Sequence, residues 1–134
     1  MARAKTKPAA DLAPSGQPWA YGIRTWGADG KSHGGFAWDL TPGATTTAPD
    51  WKPSAQCGEG LHCNPSGLGD WGLLSNDPNA VIGIVRYDPA TAIDLDGKVK
   101  APAMQIVTTS LLESRGAIMA RISQIARDHI ASLV

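Results

Sequence analysis

The distribution of turn-forming residues constrains the fold of this chain more than any other feature. Its 134 residues include 15 glycines and 10 prolines, which is above ordinary usage. They are dispersed among aromatic and β-branched residues and form no low-complexity tract. Glycine adopts positive φ angles and proline lacks a backbone N–H, so both types favour tight turns. The sequence therefore predicts a β-rich domain with many short connections.

Length and charge indicate one domain without a strongly charged surface. A chain of 134 residues is near the commonest domain size, about 100–150 residues, and can bury a core without metal or disulfide staples. Twelve basic and twelve acidic side chains give a formal net charge of zero. This balance argues against a nucleic-acid partner, which requires clustered Lys and Arg. It also permits self-association, because like-charge repulsion between copies is weak.

The chain shows no sign of a membrane or secreted protein. No apolar run approaches the length of a membrane span, and the first residues lack the apolar segment of a secretory signal. Two cysteines are too few for a disulfide framework. We therefore expect synthesis in the cytoplasm and no membrane partner.

Short segments rich in aromatic and β-branched residues predict the strands. Val81–Tyr87 is the clearest buried strand, since it is nearly all apolar and stops at Asp88-Pro89. The stretch 56–79 is rich in glycine and is expected to be irregular. We expect a small, mainly antiparallel, strongly twisted sheet of five or six short strands. The other candidate segments are 19–26, 35–40, 44–48, 92–95, 98–100 and 104–107.

The two ends of the chain differ in character from this β-rich body, which spans 19–109. Ser110 and Glu113 fit a capping box, and apolar residues then recur at steps of three and four, as in an amphipathic helix. The sequence predicts an α+β fold in which a helix over 110–134 packs on the sheet or on another subunit. At the other end, residues 1–18 read as a flexible basic arm. The residues expected to contact partners are Arg3, Lys5, Lys7, Ile118, Ile122, Ile125 and Leu133.

An ordered set of short motifs runs through the β-rich body. It consists of Gly35, Phe36 and Trp38, then Trp51, then Cys57, Gly60, Leu61 and His62, then Asn64-Pro65 and Asp70-Trp71, and finally the 94–100 hairpin. This set resembles a small domain of unknown function that is common in phages, actinobacteria and other bacteria. The resemblance covers residues 20–107 and includes neither the arm nor the helix. It implies a fold and a phage setting, and it implies no reaction.

The loop around His62 carries the residues that could form a site: Cys57, Gly60, His62 and Cys63. Together with His33 they include zinc-ligand types, but the five residues between the cysteines do not match the usual short Cys-x2–4-Cys spacing. A cysteine packed as a small apolar residue and a histidine bonded to loop backbone explain the same pattern. We expect no metal, no cofactor and no catalytic residue.

Three other kinds of chemistry require residues or placements that the sequence does not clearly offer. A thiolate–imidazole pair requires two side chains that face each other, which neighbours in a turn rarely do. A Gly-x-His loop is also found in ADP-ribosyltransferase-like folds, but such a site needs a late carboxylate, and only Glu59 and Glu113 are glutamates. Asp94 and Asp96 could hold a cation, although aspartates at this position commonly shape the turn. The tryptophans could stack on a ligand or fill the core.

We therefore expect a non-enzymatic phage structural or interaction protein, such as a capsid decoration protein or another virion component. Its partners would be other virion subunits or further copies of itself, after synthesis in the host cytoplasm. Two alternatives stay open at this point. One is a small enzyme or ligand-binding domain, either ADP-ribosyltransferase-like or metal-binding, that uses the His62 loop. The other is a phage inhibitor of a host protein.

Overall fold

The fold was established from a computed structural model, which describes residues 12–32, 35–56, 58–69, 71, 74–75, 77–110 and 115–133. The strands are β1 (Ala20–Trp26), β2 (Thr45–Thr47), β3 (Leu61–Pro65), β4 (Val81–Tyr87), β5 (Ile93–Asp94), β6 (Val99–Ala101) and β7 (Ala103–Thr109). A 3₁₀ turn at Pro89–Thr91 follows β4, and the helix α1 (Arg115–Ala131) follows β7.

The seven strands form one sheet in the order β2-β7-β4-β1-β3-β6-β5. Every neighbouring pair is antiparallel. This confirms the predicted α+β class with an antiparallel sheet and a C-terminal helix. The number of strands is slightly higher than the five or six expected.

The sheet curls back on itself, as the connection between β6 and β7 shows. Only Pro102 separates these two strands in sequence, yet they lie four places apart in the sheet. Four strand spacings in a flat sheet would measure about 19 Å, whereas two residues of chain span at most about 7 Å. The sheet must therefore bend until its two ends approach each other around a common interior.

Two apolar cores lie on opposite sides of the central strands. The inner core lies within the curl and includes Trp26 of β1, Leu61 of β3 and Ile106 of β7. The second core lies between the sheet and α1, where Ile118 and Ile122 are 0% and 1% exposed. Each buried isoleucine contributes about 1.5–3 kcal/mol relative to an exposed one. Strand β4 borders both cores, which explains why it is apolar on both faces.

Two sequence expectations were wrong. The predicted strand over 35–40 is not a strand: its alternation does bury Trp38 and Leu40, but only Ala37 forms a β-bridge, to Lys31. The stretch 56–79 is not wholly irregular, because β3 lies within it and pairs with both β1 and β6. In both cases the neighbouring strands, and not the local residue pattern, determine whether the segment forms a strand.

The described part of the predicted arm, 12–18, lies against the end of β4. Ser15 donates hydrogen bonds from its backbone N–H (2.8 Å) and its hydroxyl (2.7 Å) to the Asp88 carboxylate, and Ala13 is buried. Arg3, Lys5 and Lys7 lie outside the described residues. No helix among the described residues has the length and apolar character needed to cross a bilayer.

Candidate functional site

His62 and Cys63 are neighbours on β3 and point to opposite faces of the sheet, because side chains alternate along a strand. Cys63 is buried in the inner core, and this burial raises the pKa of its thiol to about 12. His62 pairs across the strands with Lys100 of β6 and shares its face. The structure therefore does not bring this thiol and imidazole together as a nucleophile and base.

The His62 imidazole is held by the loop that precedes β3. The backbone N–H of Gly58 donates to His62 Nε2 over 3.3 Å, so the ring acts as an acceptor and is neutral. Burial, together with the positive charges of Lys98, Arg24 and Lys100, lowers the pKa of His62 to about 4. Asp50 acts in the opposite direction. The ring stays uncharged at neutral pH and orders the loop.

Lys100 is fully buried beneath the same loop, with 0% of its surface exposed. Its ammonium group donates to the Gly58 carbonyl (3.3 Å) and to Ser54 Oγ (3.5 Å) and lies 5.5 Å from the centre of the Trp51 ring. Gly60 allows Trp51 to lie this close, since a Cβ there would come within 3.0 Å of the indole. Both hydrogen bonds reach neutral acceptors, and within the described ranges no carboxylate pairs with this ammonium.

Arg24 of β1 is a second cation in this region. Its Nη1 donates to the His62 carbonyl over 2.7 Å and its Nε to the Thr25 carbonyl over 3.3 Å. The guanidinium carbon lies 4.4 Å from the Trp38 ring centre and 5.3 Å from that of Trp26, within the range of cation–π attraction. Burial lowers the pKa of Arg24 to about 10, which leaves it charged at neutral pH. The paired position on β4 is Gly83, which has no side chain.

A cavity of about 450 Å³ opens at Arg24 and His62. Its walls combine the flat rings of Phe36 and Trp38 with charged and polar side chains from β1, β3 and the loops on either side of β2. This volume lies within the range of small-molecule sites, about 300–1,000 Å³. The other lining residues are Thr25, Ser32, Pro49, Asp50, Gly58, Glu59, Gly60, Leu61, Cys63, Asn64, Leu74 and Lys98.

The residues singled out from the sequence meet this cavity only in part. Gly60, His62 and Cys63 line it, whereas Cys57 and His33 lie outside the described residues. Among the residues with described positions, no group of three His, Cys, Asp or Glu side chains could hold a metal ion. Sequence reasoning missed Arg24 and Lys100. The available signal was a lone cation within an otherwise apolar or aromatic strand.

The Asp94–Asp96 pair and two of the tryptophans have structural roles. The Asp96 N–H donates to Asp94 Oδ1 over 2.9 Å and Asp96 has a φ of 58°, so this pair shapes the turn. Trp26 and Trp38 are buried in the inner core in an edge-to-face arrangement with ring centres 5.4 Å apart. Trp71 differs from them, with 45% of its surface exposed.

The residues predicted to contact partners through the helix divide into two groups. Ile118 and Ile122 are buried against the sheet and cannot meet a partner, because their contacts lie within the domain. Ile125 is half-buried, and Leu133 is 69% exposed. Only the last part of the apolar stripe is therefore available at the surface.

Comparison with known proteins gives no relative: no protein-family model, curated sequence or solved structure matches this chain.

Proposed function

We propose that this protein is a non-enzymatic structural or interaction protein that assembles with further copies of itself, as a capsid decoration protein or another virion component of a phage. The phage setting is supported by the motif resemblance over residues 20–107. The assembly is supported by the exposed apolar side chains at the end of α1, Ile130 and Leu133.

The observation that carries the proposal is an apolar stripe that continues past the domain to which the helix is attached. Ile118 and Ile122 are covered by β1 and β4, but Ile130, near the end of α1, is 53% exposed, and Leu133, just past that end, is 69% exposed. An amphipathic helix normally buries its apolar stripe. Ile130 and Leu133 are only three residues apart, and exposed apolar side chains that lie close together favour an interaction site more than scattered ones do.

A groove of about 430 Å³ lies beside this helix end. Trp19, Tyr21 and Leu68 line it from the sheet side, and Ile125 and His129 line it from the helix. Each molecule therefore carries both protruding apolar side chains and an apolar groove next to them. In a two-fold symmetric contact, the protruding side chains of each copy would enter the groove of the other. The zero net charge of the chain imposes little repulsion on that contact.

The chemistry of the His62 region supports binding over catalysis. The imidazole accepts a backbone hydrogen bond, and the Cys63 thiol faces the inner core with a raised pKa. Neither side chain is placed to attack a substrate or to activate a nucleophile for the other. These groups are used to build the fold.

Oligomeric state tests the proposal directly. We expect size-exclusion chromatography with light scattering to show a dimer or larger assembly, and the double variant Ile130→Ser, Leu133→Ser to be monomeric with an unchanged melting temperature. The matched control is Ala120→Ser with Ser123→Ala on the exposed side of the same helix, which should leave the assembly intact. Mass spectrometry of purified virions should detect the chain. A protein that is monomeric at every concentration and absent from particles would refute the proposal.

A further inference from the structure

Arg24 is a half-buried cation without a counter-ion. Its side-chain hydrogen bonds reach the carbonyls of Thr25 and His62, and no carboxylate oxygen in the described ranges lies within 4.0 Å of its guanidinium group. Burying a charge is costly unless it is paired. Stacking on Trp38 offsets only part of this cost.

The guanidinium group retains hydrogen-bonding capacity for a ligand. Arginine carries five N–H donors in a planar fork, and Arg24 uses one on each of two carbonyls. Three donors remain, and the side chain lines the 450 Å³ cavity. A carboxylate or a phosphate is the group that such a fork binds best, since two parallel N–H···O bonds can form.

Other cations lie near the cavity besides Arg24. Lys98 lines it, and Lys100 lies beneath the adjoining loop. Two carboxylates also border the cavity, but Glu59 forms an ion pair with Lys52 over 3.2 Å, which leaves Asp50 at the exposed rim. These cations also act on the His62 ring: Lys98, Arg24 and Lys100 lower its pKa by more than Asp50 raises it.

The shape of the cavity adds a second requirement to this charge. The half-buried Phe36 supplies a flat apolar wall beside Arg24, and aromatic side chains pack well against planar rings. A ligand that satisfies both features has an oxyanion at one end and a flat ring at the other. Inorganic phosphate or acetate would meet the charge and leave the walls uncovered.

We propose that this cavity binds a small aromatic oxyanion, a planar ring that carries a carboxylate or phosphate group, with Arg24 as the residue that recognises the anion. The site is separate from the helix end and does not depend on the proposed assembly. The ligand provides the counter-ion that the described residues do not give to Arg24.

The test is isothermal titration calorimetry on the full chain at neutral pH and low salt. The probes are benzoate and phenyl phosphate, with benzamide as the uncharged analogue of benzoate and acetate as the analogue without a ring. A hydrogen bond to a charged group changes a binding constant by about tenfold or more relative to an uncharged analogue. We therefore expect the better aromatic anion to bind about tenfold more tightly than benzamide or acetate. Which of the two anions binds better tells a carboxylate site from a phosphate site.

A matched pair of arginine variants separates recognition from packing. Arg24→Met should weaken binding of the better anion by about tenfold or more, since it removes the charged donors and keeps much of the side-chain volume. The control is Arg86→Met on β4, because Arg86 also stacks on a tryptophan (4.3 Å from the Trp19 ring centre) but does not line the cavity. It should change the affinity by less than about twofold.

Several results would overturn the proposal. They are equal affinity for benzoate and benzamide, binding that survives Arg24→Met unchanged, or no binding of either aromatic anion at millimolar concentration. If Arg24→Met does not fold, the comparison of charged and uncharged probes on the unaltered protein decides the question, together with the loss of anion binding at high salt that screening requires.

Discussion

The contact between Gly67 and Ile122 allows a quantitative test of how α1 is attached to the sheet. Gly67 lies in the turn after β3 and has a φ of 71°, in the left-handed region that favours glycine. A Cβ at this position would lie 2.6 Å from Ile122 Cγ1, closer than side chains tolerate. The substitution Gly67→Ala therefore meets two separate penalties, one in the backbone and one in packing.

The size of each penalty follows from its cause. A non-glycine residue in the left-handed conformation costs about 1–2 kcal/mol, and overpacking a tight contact costs about 1–3 kcal/mol. Gly67→Ala should thus lower the free energy of unfolding by about 2–5 kcal/mol. The control is Gly43→Ala, because Gly43 has a φ of 88° but nothing within 4 Å of the added Cβ. It should show the backbone penalty alone.

A double-mutant cycle isolates the packing penalty. Ile122→Ala removes Cγ1 and should by itself cost about 2–5 kcal/mol, as other large-to-small core substitutions do. In that background the added methyl group of Gly67→Ala meets no Cγ1, so only the backbone penalty should remain. The two substitutions should therefore be less than additive, by about 1–3 kcal/mol.

Urea unfolding provides the measurement. Tryptophan fluorescence and circular dichroism would follow the transition, and linear extrapolation would give the free energy of unfolding for the five proteins in the set. Equal costs for Gly67→Ala and Gly43→Ala, or strict additivity in the cycle, would show that α1 does not pack on this turn as described.

Three further predictions concern ionisable groups. Asp88→Asn should lower the melting temperature above pH 4 and make the protein less sensitive to acid. The hydroxyl of Ser15 holds the pKa of Asp88 below its ordinary value. The Asp88 carboxylate therefore stabilises the fold above the unfolded-state pKa, and this stabilisation is lost as the pH falls through the folded-state pKa. The melting temperature should fall as the pH drops from about 6.5 to 4, because His62 takes up a proton in the unfolded state but not in the folded state, where its pKa is about 4. In His62→Gln this part of the decline should disappear. An unchanged dependence of melting temperature on pH in that variant would contradict the lowered pKa of His62. In a Cys57→Ser variant, Cys63 should react with a thiol reagent at pH 8 only when the protein is unfolded, because burial raises the pKa of its thiol to about 12; fast labelling of the native protein would show that this thiol is accessible.

Much of the architecture was predictable because its signals are local. The apolar run at Val81–Tyr87 predicted β4 with its correct bounds, and the three-and-four spacing around Ile118 and Ile122 predicted the helix and its buried face. In β4 the apolar positions face one core or the other, and in α1 the first part of the apolar stripe does. Local propensity and tertiary packing agree there.

The sequence misled where tertiary pairing decided the backbone. β3 contains His62, Asn64 and Pro65, which are poor strand formers, and it forms because β1 and β6 pair with it on either side. The only local signal is that Leu61 and Cys63 alternate around His62. The opposite error occurred at Trp38, where burial alternates as in a strand but the N–H bonds to Gly30 in a turn.

The candidate site was predictable only at its centre. His62 stands out in the sequence, but Arg24 and Lys100 reach it through strand pairing across 38 residues in each direction. No spacing rule links residues that are brought together by sheet order. The cavity is therefore a product of the fold, and a single sequence cannot reveal it.

The two edge strands of the sheet are short, and this affects how the protein behaves in concentrated solution. The outermost strands β2 and β5 are only three and two residues long, so each offers few unpaired backbone groups to a passing chain. Long open edges template intermolecular β-pairing and fibril growth, and such brief ones do not. The edges of the described sheet should therefore resist amyloid-like pairing in concentrated solutions.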